Sequence, residues 1–560
     1  MQCDYVTLKS GLRIHFRRSG EGPPLILLHP SPQSSVAVLP AVKHFERLCE
    51  CFALDTPGYG LSEDLPEDDP SIGDYADLVI EAADALGLGS FYLYGSATGS
   101  QIAVEVGKRF PDRVRFLMLD MNGHIADEFR DPILDDYFPD VTARRDGGHL
   151  QTYWDMCRQL TYAFPWSSQA AADRLGLDMP DAEVVQDRLL VYLQSGERYA
   201  KAYRTAFCVE KRDHLDGLDV PSVMTRWSGS LVLSIVDELI GMGLPDCLKV
   251  LEAGPTLDER YAVQSQALAA VIAERGDEVD PPVKVPPLAE GQSGAVYLDG
   301  AASRLHARVS LAGSGVPVVC LHGAAKSSVQ MAAHLETLTG RRPVYNIDLP
   351  GHGASALPES ASSRTVSAMA EQIAGALADS GVTEIDLVGE GLGGAVAARL
   401  SQLIKTNRFV VVNPVPYTRE ESADYLERGL PDLAPHHDGS HLAKAWAFVR
   451  DDELFWPWYD YRGSAVRASD ANLSPGHLHQ RACDLMIAGA AAPEFVAAEV
   501  TLDWAAVLSG IRADRVALLA DGQHPCRDRL AGLLEKSSLD TRTSVIDTRD
   551  LADMLNAGSA

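Results

Sequence analysis

The chain repeats itself at an almost constant offset. Leu25-Ile26-Leu27-Leu28-His29-Pro30 recurs as Val318-Val319-Cys320-Leu321-His322-Gly323, 293 residues downstream. Asp55-Thr56-Pro57-Gly58-Tyr59-Gly60 recurs at the same distance as Asp348-Leu349-Pro350-Gly351-His352-Gly353. Tyr94-Gly95-Ser96-Ala97-Thr98-Gly99 returns after 294 residues as Val388-Gly389-Glu390-Gly391-Leu392-Gly393, and Asp146-Gly147-Gly148-His149-Leu150 after 292 as Asp438-Gly439-Ser440-His441-Leu442. An offset kept through four motifs marks a duplication and restricts the chain to two copies of one architecture. The seam is Asp280-Pro281-Pro282-Val283-Lys284-Val285-Pro286-Pro287, whose prolines favour an extended linker. We therefore expect a first domain over 1–278, a linker over 279–291 and a second domain over 292–560.

The duplication agrees with length, since 560 residues exceed what one hydrophobic core serves. The net charge of −29 repels phosphate backbones and anionic membrane surfaces, so neither nucleic acid nor membrane is an expected partner. Nine cysteines, an odd number without a Cys-x-x-Cys pair, argue for a reduced protein with no cysteine-held metal. The start Met1-Gln2-Cys3-Asp4-Tyr5 lacks the basic and apolar regions of a signal peptide, and no apolar run reaches the ~20 residues of a bilayer span. The expectation is a cytoplasmic protein with no metal and no cofactor.

Within each copy, short apolar runs bounded by Gly or Pro alternate with amphipathic stretches. Leu25–Leu28, Phe91–Tyr94 and Phe116–Leu119 read as buried strands, as do Val316–Leu321, Ile385–Val388 and Phe409–Val412 in the second copy. Ile72–Leu86 and Val366–Ser380 read as helices between them. Alternation of this kind predicts an α/β fold: two domains, each a mostly parallel, doubly wound sheet. Long insertions, about 124–215 and 415–505, are rich in Trp, Tyr and His and are expected to form helical lids.

The stretches around Ala97 and Gly391 follow Gly-x-Ser-x-Gly, the strand-to-helix turn that presents a nucleophilic serine, except that the serine is missing from both. With the His29 and His322 loops and the Asp-x-Pro-Gly-x-Gly turns, found twice in the same order, each half resembles the α/β-hydrolase superfamily over nearly its whole length. The stretch from Asp438 through Phe455-Trp456-Pro457-Trp458-Tyr459 looks like that of a bacterial subgroup of small-molecule hydrolase-like proteins. The resemblance implies a triad of nucleophile, base and acid, and little of it remains. The degenerate nucleophile positions are Ala97 and Gly391. Pro255 stands after Gly254, where the base is expected in the first copy, and no histidine follows Val545-Ile546 in the second.

The electrostatic half of the machinery needs only backbone. The resemblance puts an oxyanion hole at the N–H groups of Ser31 and Thr98 in the first copy, and of Ala324 and Leu392 in the second. Candidate proton shuttles are His441, Glu390 and His524 in the second copy, and His149 and Asp120 in the first. By the constant offset, the counterpart of Asp120 is Asn413. Candidate substrate-binding residues are Trp154 and Arg158, Trp446 and Arg450 (helical neighbours at i, i+4), Trp456 and Trp458. His29 and His322 are expected to bond loop backbone.

These features support an enzyme acting on a small, apolar, carbonyl-bearing molecule without serine or cofactor, by C–C cleavage, decarboxylation, isomerisation or hydrolysis. A catalytically silent protein that binds a small molecule or a partner protein is the alternative. A conventional ester hydrolase with an engineered or relocated nucleophile is another. The fuller aromatic insertion inclines the choice of active half towards the second copy. The two copies are also candidates for packing together as an internal pseudo-dimer.

Overall fold

The computed structural model describes residues 1–276, 283–300, 303–335, 340–519, 525–536, 545–546 and 555. The chain divides into two compact units, Met1–Thr142 with His149–Pro287, and Ala143–Gly148 with Leu288–Ala560. Each is built on an eight-stranded sheet.

The first unit contributes β1 (Gln2–Thr7), β2 (Arg13–Ser19), β3 (Pro24–Leu28), β4 (Glu50–Leu54), β5 (Phe91–Ser96), β6 (Val114–Asp120), β7 (Ser222–Trp227) and β8 (Leu248–Ala253). Their spatial order is β1-β2-β4-β3-β5-β6-β7-β8. β2 pairs antiparallel with β1 and β4, and every other pairing is parallel. Alternate residues Leu25 and Leu27, Tyr92 and Tyr94, and Phe116 and Met118 share one face with Phe45 and Leu268. Those two residues lie on the helices Leu39–Phe45 and Leu257–Arg275. The two-residue period of a strand sends the intervening residues to the opposite face, so both faces are buried and the runs read as continuously apolar.

The second unit repeats the plan with β9 (Ser293–Leu298), β10 (Leu305–Ser310), β11 (Val318–Leu321), β12 (Val344–Ile347), β13 (Glu384–Glu390), β14 (Lys405–Val412), β15 (Arg515–Leu519) and β16 (Val545–Ile546). The order is β9-β10-β12-β11-β13-β14-β15-β16, antiparallel only where β10 meets β9 and β12. The expected alternation of strand and helix is therefore present twice. Side chains fix where helices begin. Ser71 and Asp74 exchange bonds in a capping box ahead of Ile72–Ala85, and Thr365 accepts from the Ala368 N–H ahead of Val366–Asp379.

Strand register amends one expected equivalence. Ser96 pairs with Asp120 and Glu390 with Val412, so the counterpart of Asp120 is Val412 rather than Asn413. Asn413 corresponds instead to Met121, and the two share positive φ values of 44° and 51°. The offset drifts by a residue between motifs, which motif spacing alone does not localise.

Helices fill the insertions between β6 and β7 and between β14 and β15. They are Asp127–Asp136, Gly148–Gln159, Ala182–Ser195 and Ala200–Val209 in the first, and Arg419–Arg428, Ser440–Leu454, Pro475–Ala488, Ala492–Val500 and Trp504–Gly510 in the second. Among the described residues no single helix is long and apolar enough to cross a membrane.

Candidate functional site

Both elbows keep their geometry without a nucleophile. Ala97 has φ 48° and ψ −114°, and Gly391 has φ 49°. A positive φ on alanine costs about 1–3 kcal/mol and persists only where the surroundings impose it. The surroundings are close. A Cβ on Gly99 would lie 2.4 Å from the Leu28 carbonyl oxygen, and one on Gly393 would lie 2.3 Å from that of His322. Each turn leads straight into a helix, Thr98–Arg109 or Gly391–Leu400, whose first N–H groups have no partner inside the helix. What the retained turn still presents is therefore a backbone donor.

The Asp-x-Pro-Gly-x-Gly turns hold the neighbouring loops. Asp55 accepts from the N–H groups of Ser35 at 2.7 Å and Leu61 at 3.0 Å, and pairs with His15 Nδ1 at 2.7 Å. Asp348 repeats this with Ser328 at 2.6 Å, Ala354 at 3.0 Å and His306 at 2.7 Å. Burial alone would push both carboxyls up, yet the adjacent His15 and His306 outweigh it and hold them well below the usual carboxylate range. His29 and His322 bond loop backbone, accepting from Thr56 and Leu349 through Nε2 and facing the carbonyls of Pro30 and Gly323 through Nδ1.

At the N–H groups expected to form an oxyanion hole the units differ. In the second, the Ala324 N–H donates at 2.8 Å and the Leu392 N–H at 2.6 Å to the same oxygen, Oε2 of Glu499, on the helix Ala492–Val500. A Cβ on Gly391 would stand 2.3 Å from that oxygen. In the first unit no protein acceptor bonds the N–H of Ser31 or of Thr98 among the described residues. Ala206, 293 residues before Glu499, is buried in the matching helix Ala200–Val209.

The side chains around the two turns also differ. In the first unit they are aromatic. The Tyr59 hydroxyl, beside Ser31, donates to the Tyr199 carbonyl at 2.6 Å and accepts from the Tyr203 N–H at 3.2 Å. Tyr203 stacks on Phe207 with centroids 5.1 Å apart, and its hydroxyl meets that of Tyr137 at 2.8 Å. Glu210 follows this helix. Its carbonyl accepts from Ile125 at 2.8 Å and its carboxyl takes the Gly123 N–H. These residues belong to the loop leaving β6, where Asn122 also donates to Ser100 Oγ at 3.0 Å in the elbow helix. Burial pushes the Glu210 carboxyl up to about 8, the Gly123 N–H opposing it only in part.

In the second unit the corresponding side chains are charged. Lys326 Nζ meets Glu390 Oε1 at 2.7 Å, and Arg481 meets Asp452 at 2.7 Å and Glu453 at 2.8 Å. Tyr417 stacks on Trp456 at 6.1 Å. Burial pushes the Glu499 carboxyl up, and the two N–H donors offset that only partly.

The other sequence candidates fall as follows. Asp120 is fully buried on β6, where its Oδ2 accepts from Tyr94 at 2.6 Å and from Arg260 Nε and Nη2 at 2.8 and 2.5 Å. His441 is buried in the first turn of Ser440–Leu454 and accepts from the His436 N–H at 3.1 Å. Burial, reinforced by His436, lowers it to about 4. His149 and Trp154 are fully buried on Gly148–Gln159, the helix that also carries Arg158. Trp446 is buried, Arg450 turns to Asp451 at 3.0 Å, and Trp458 donates to the Gly429 carbonyl at 2.9 Å. His524 lies outside the described residues, as do 279–282 of the linker. Among the described residues no group of three His, Cys, Asp or Glu is arranged to hold a metal.

Of the residues gathered at these turns, the sequence had put forward Ser31, Thr98, Ala324, Leu392 and Glu390, but not Glu499, Lys326 or Glu210. The one available signal was Glu499 against Ala206 at the duplication offset.

A family model described as "alpha/beta hydrolase fold" matches residues 23–219, and one described as "Alpha/beta hydrolase family" matches residues 318–533. Over 116 residues the chain is 33% identical to the (E)-2-((N-methylformamido)methylene)succinate hydrolase of Acinetobacter baylyi, covering 21% of this chain and 43% of that protein. It is 33% identical over 107 residues to haloalkane dehalogenase 2 of Mycobacterium bovis, covering 19% and 37%. The matched stretches thus span less than half of either relative. Among solved structures, the enol-lactonase of Burkholderia xenovorans LB400 aligns with TM-score 0.38 and 15% identity, over 48% of this chain and 99% of that one.

Proposed function

Because this chain belongs to the α/β-hydrolase family, in two tandem copies, we propose that it is an enzyme whose first unit acts on a small, largely apolar carbonyl compound by proton transfer beside the carbonyl. The observation that carries this reading is the contrast between the holes: Ser31 and Thr98 keep their N–H groups unspent, whereas Ala324 and Leu392 spend theirs on Glu499. Two fixed donors stabilise an oxygen that gains charge as an enolate forms, and no acyl-enzyme is needed. The aromatic wall suits an apolar body. Glu210, with its carboxyl raised to about 8, holds its proton at neutral pH and exchanges it at little cost. The relatives include a hydrolase and a dehalogenase, and the same hole would serve hydrolysis if Glu210 activated water.

The test is deuterium exchange at the α-carbon of small aromatic ketones in D2O, followed by NMR. Wild type should accelerate exchange, with an inflection near pH 8. Glu210→Gln should slow it by about 100-fold or more, remove the inflection and leave the fold intact by circular dichroism. Equal rates in the two proteins would remove Glu210 from the reaction. No acceleration by wild type across the ketones would favour a silent binding protein, the reading that the occupied hole of the second unit supports.

A further inference from the structure

The second unit holds a carboxylate where its fold presents an oxyanion hole, and it is shaped around that carboxylate. The two donors come from separate segments, the loop after β11 and the first turn of Gly391–Leu400, and converge on a single oxygen at 2.8 and 2.6 Å. Gly391 has φ 49°, in the left-handed region that favours glycine, and a Cβ there would stand 2.3 Å from the Glu499 oxygen.

Charged side chains nearby are partly exposed: Lys326, Glu390, Asp452 and Glu453 each keep between 20% and 33% of their surface open. The Lys326 charge favours the ionised form of Glu499 and the Glu390 charge opposes it, and Tyr417 stacks on Trp456.

We propose that the second unit is a binding site for a small-molecule carboxylate, which displaces Glu499 and takes the Ala324 and Leu392 N–H groups in its place. Glu499 is the built-in stand-in for that ligand. It makes no ion pair among the described contacts and is held by the two N–H groups, and burial works against its charge. An entering carboxylate gains the same two bonds and adds its own contacts with the neighbouring side chains. The internal occupant lowers the apparent affinity by the fraction of time it fills the hole, so removing it should tighten binding.

The experiment uses the full chain as wild type, Glu499→Ala and Glu499→Gln, titrated calorimetrically with sodium acetate and with neutral acetamide. Glu499→Ala should bind acetate at least about tenfold more tightly than wild type, because the competing occupant is gone. Acetamide should gain much less. Glu499→Gln keeps the packing and fills the hole with a neutral oxygen, so its acetate affinity should fall between the two, and it serves if the alanine variant does not fold. Acetate bound at the hole of the first unit contributes equally in all three proteins and cancels. Equal acetate affinity in the three proteins, or acetamide matching acetate in Glu499→Ala, would overturn the proposal and leave Glu499 as a structural cap on two N–H groups.

Discussion

Replacing Arg260 by methionine should destabilise the first unit by about 3–5 kcal/mol, the usual cost of stranding one member of a buried ion pair. Asp120 is fully buried and its Oδ2 receives three hydrogen bonds, two of them from Arg260. The guanidinium also lies 4.5 Å from the Trp227 ring, so its charge is held from two sides. Without Arg260 the carboxylate keeps only Tyr94, whose hydroxyl burial and the Asp120 charge already push well up. In differential scanning calorimetry the transition should fall by about 10 °C, at roughly 2–4 °C per kcal/mol for a domain of this size. Asp120→Asn should cost a comparable amount by stranding Arg260. The double variant Asp120→Asn with Arg260→Met should cost less than the sum of the singles. Additive losses would mean that the pair is not coupled.

Stability of the first unit should also fall as pH rises from 5 to 9, through Glu210. Its carboxyl moves from an ordinary 4.5 to about 8 on folding. Between those values the folded state holds a proton that the unfolded chain has released. The stabilisation is therefore complete below pH 4.5 and is lost as pH rises through 8. A tenfold change in proton affinity is worth about 1.4 kcal/mol, so wild type should lose on the order of 4 kcal/mol relative to Glu210→Gln between pH 5 and pH 9. Glutamine keeps an oxygen for the Gly123 N–H and never ionises, so the difference between the two proteins isolates this group. Denaturant midpoints at the two pH values measure it, and a gap that does not change with pH would place Glu210 in contact with water.

The fold was legible because its signals are short-range. Runs such as Leu25–Leu28 and Phe409–Val412 are continuously apolar since both faces of a parallel strand are covered, and they emerge as parts of β3 and β14. The elbows were legible for a related reason: a glycine beside a turn that must approach another backbone leaves a local trace, as Gly99 and Gly393 do. Of the candidate site the sequence put forward the backbone positions Ser31, Thr98, Ala324 and Leu392 and the side chain of Glu390, but not Glu499, Lys326 or Glu210. His149, Trp154, Trp446 and Asp120 were put forward by residue type, which does not say how deeply a side chain is buried, and all four are buried.

By itself the sequence determined the duplication, the alternation of strand and helix, the loss of serine at Ala97 and Gly391, and the four residues whose N–H groups could form a hole. The strand, turn and elbow signals are properties of residues near one another along the chain, and the duplication is their recurrence at a nearly fixed offset. The tertiary structure alone decided which distant side chains meet these residues. Glu499 lies 175 residues from Ala324 and 107 from Leu392, and Arg260 lies 140 from Asp120. Each pairing depends on where a helix returns to the sheet after a long excursion. A carboxylate on a returning helix takes two backbone N–H groups in one unit, and alanine stands at the same offset in the other. That placement is set by the packing of whole helices, not by any pattern within one of them.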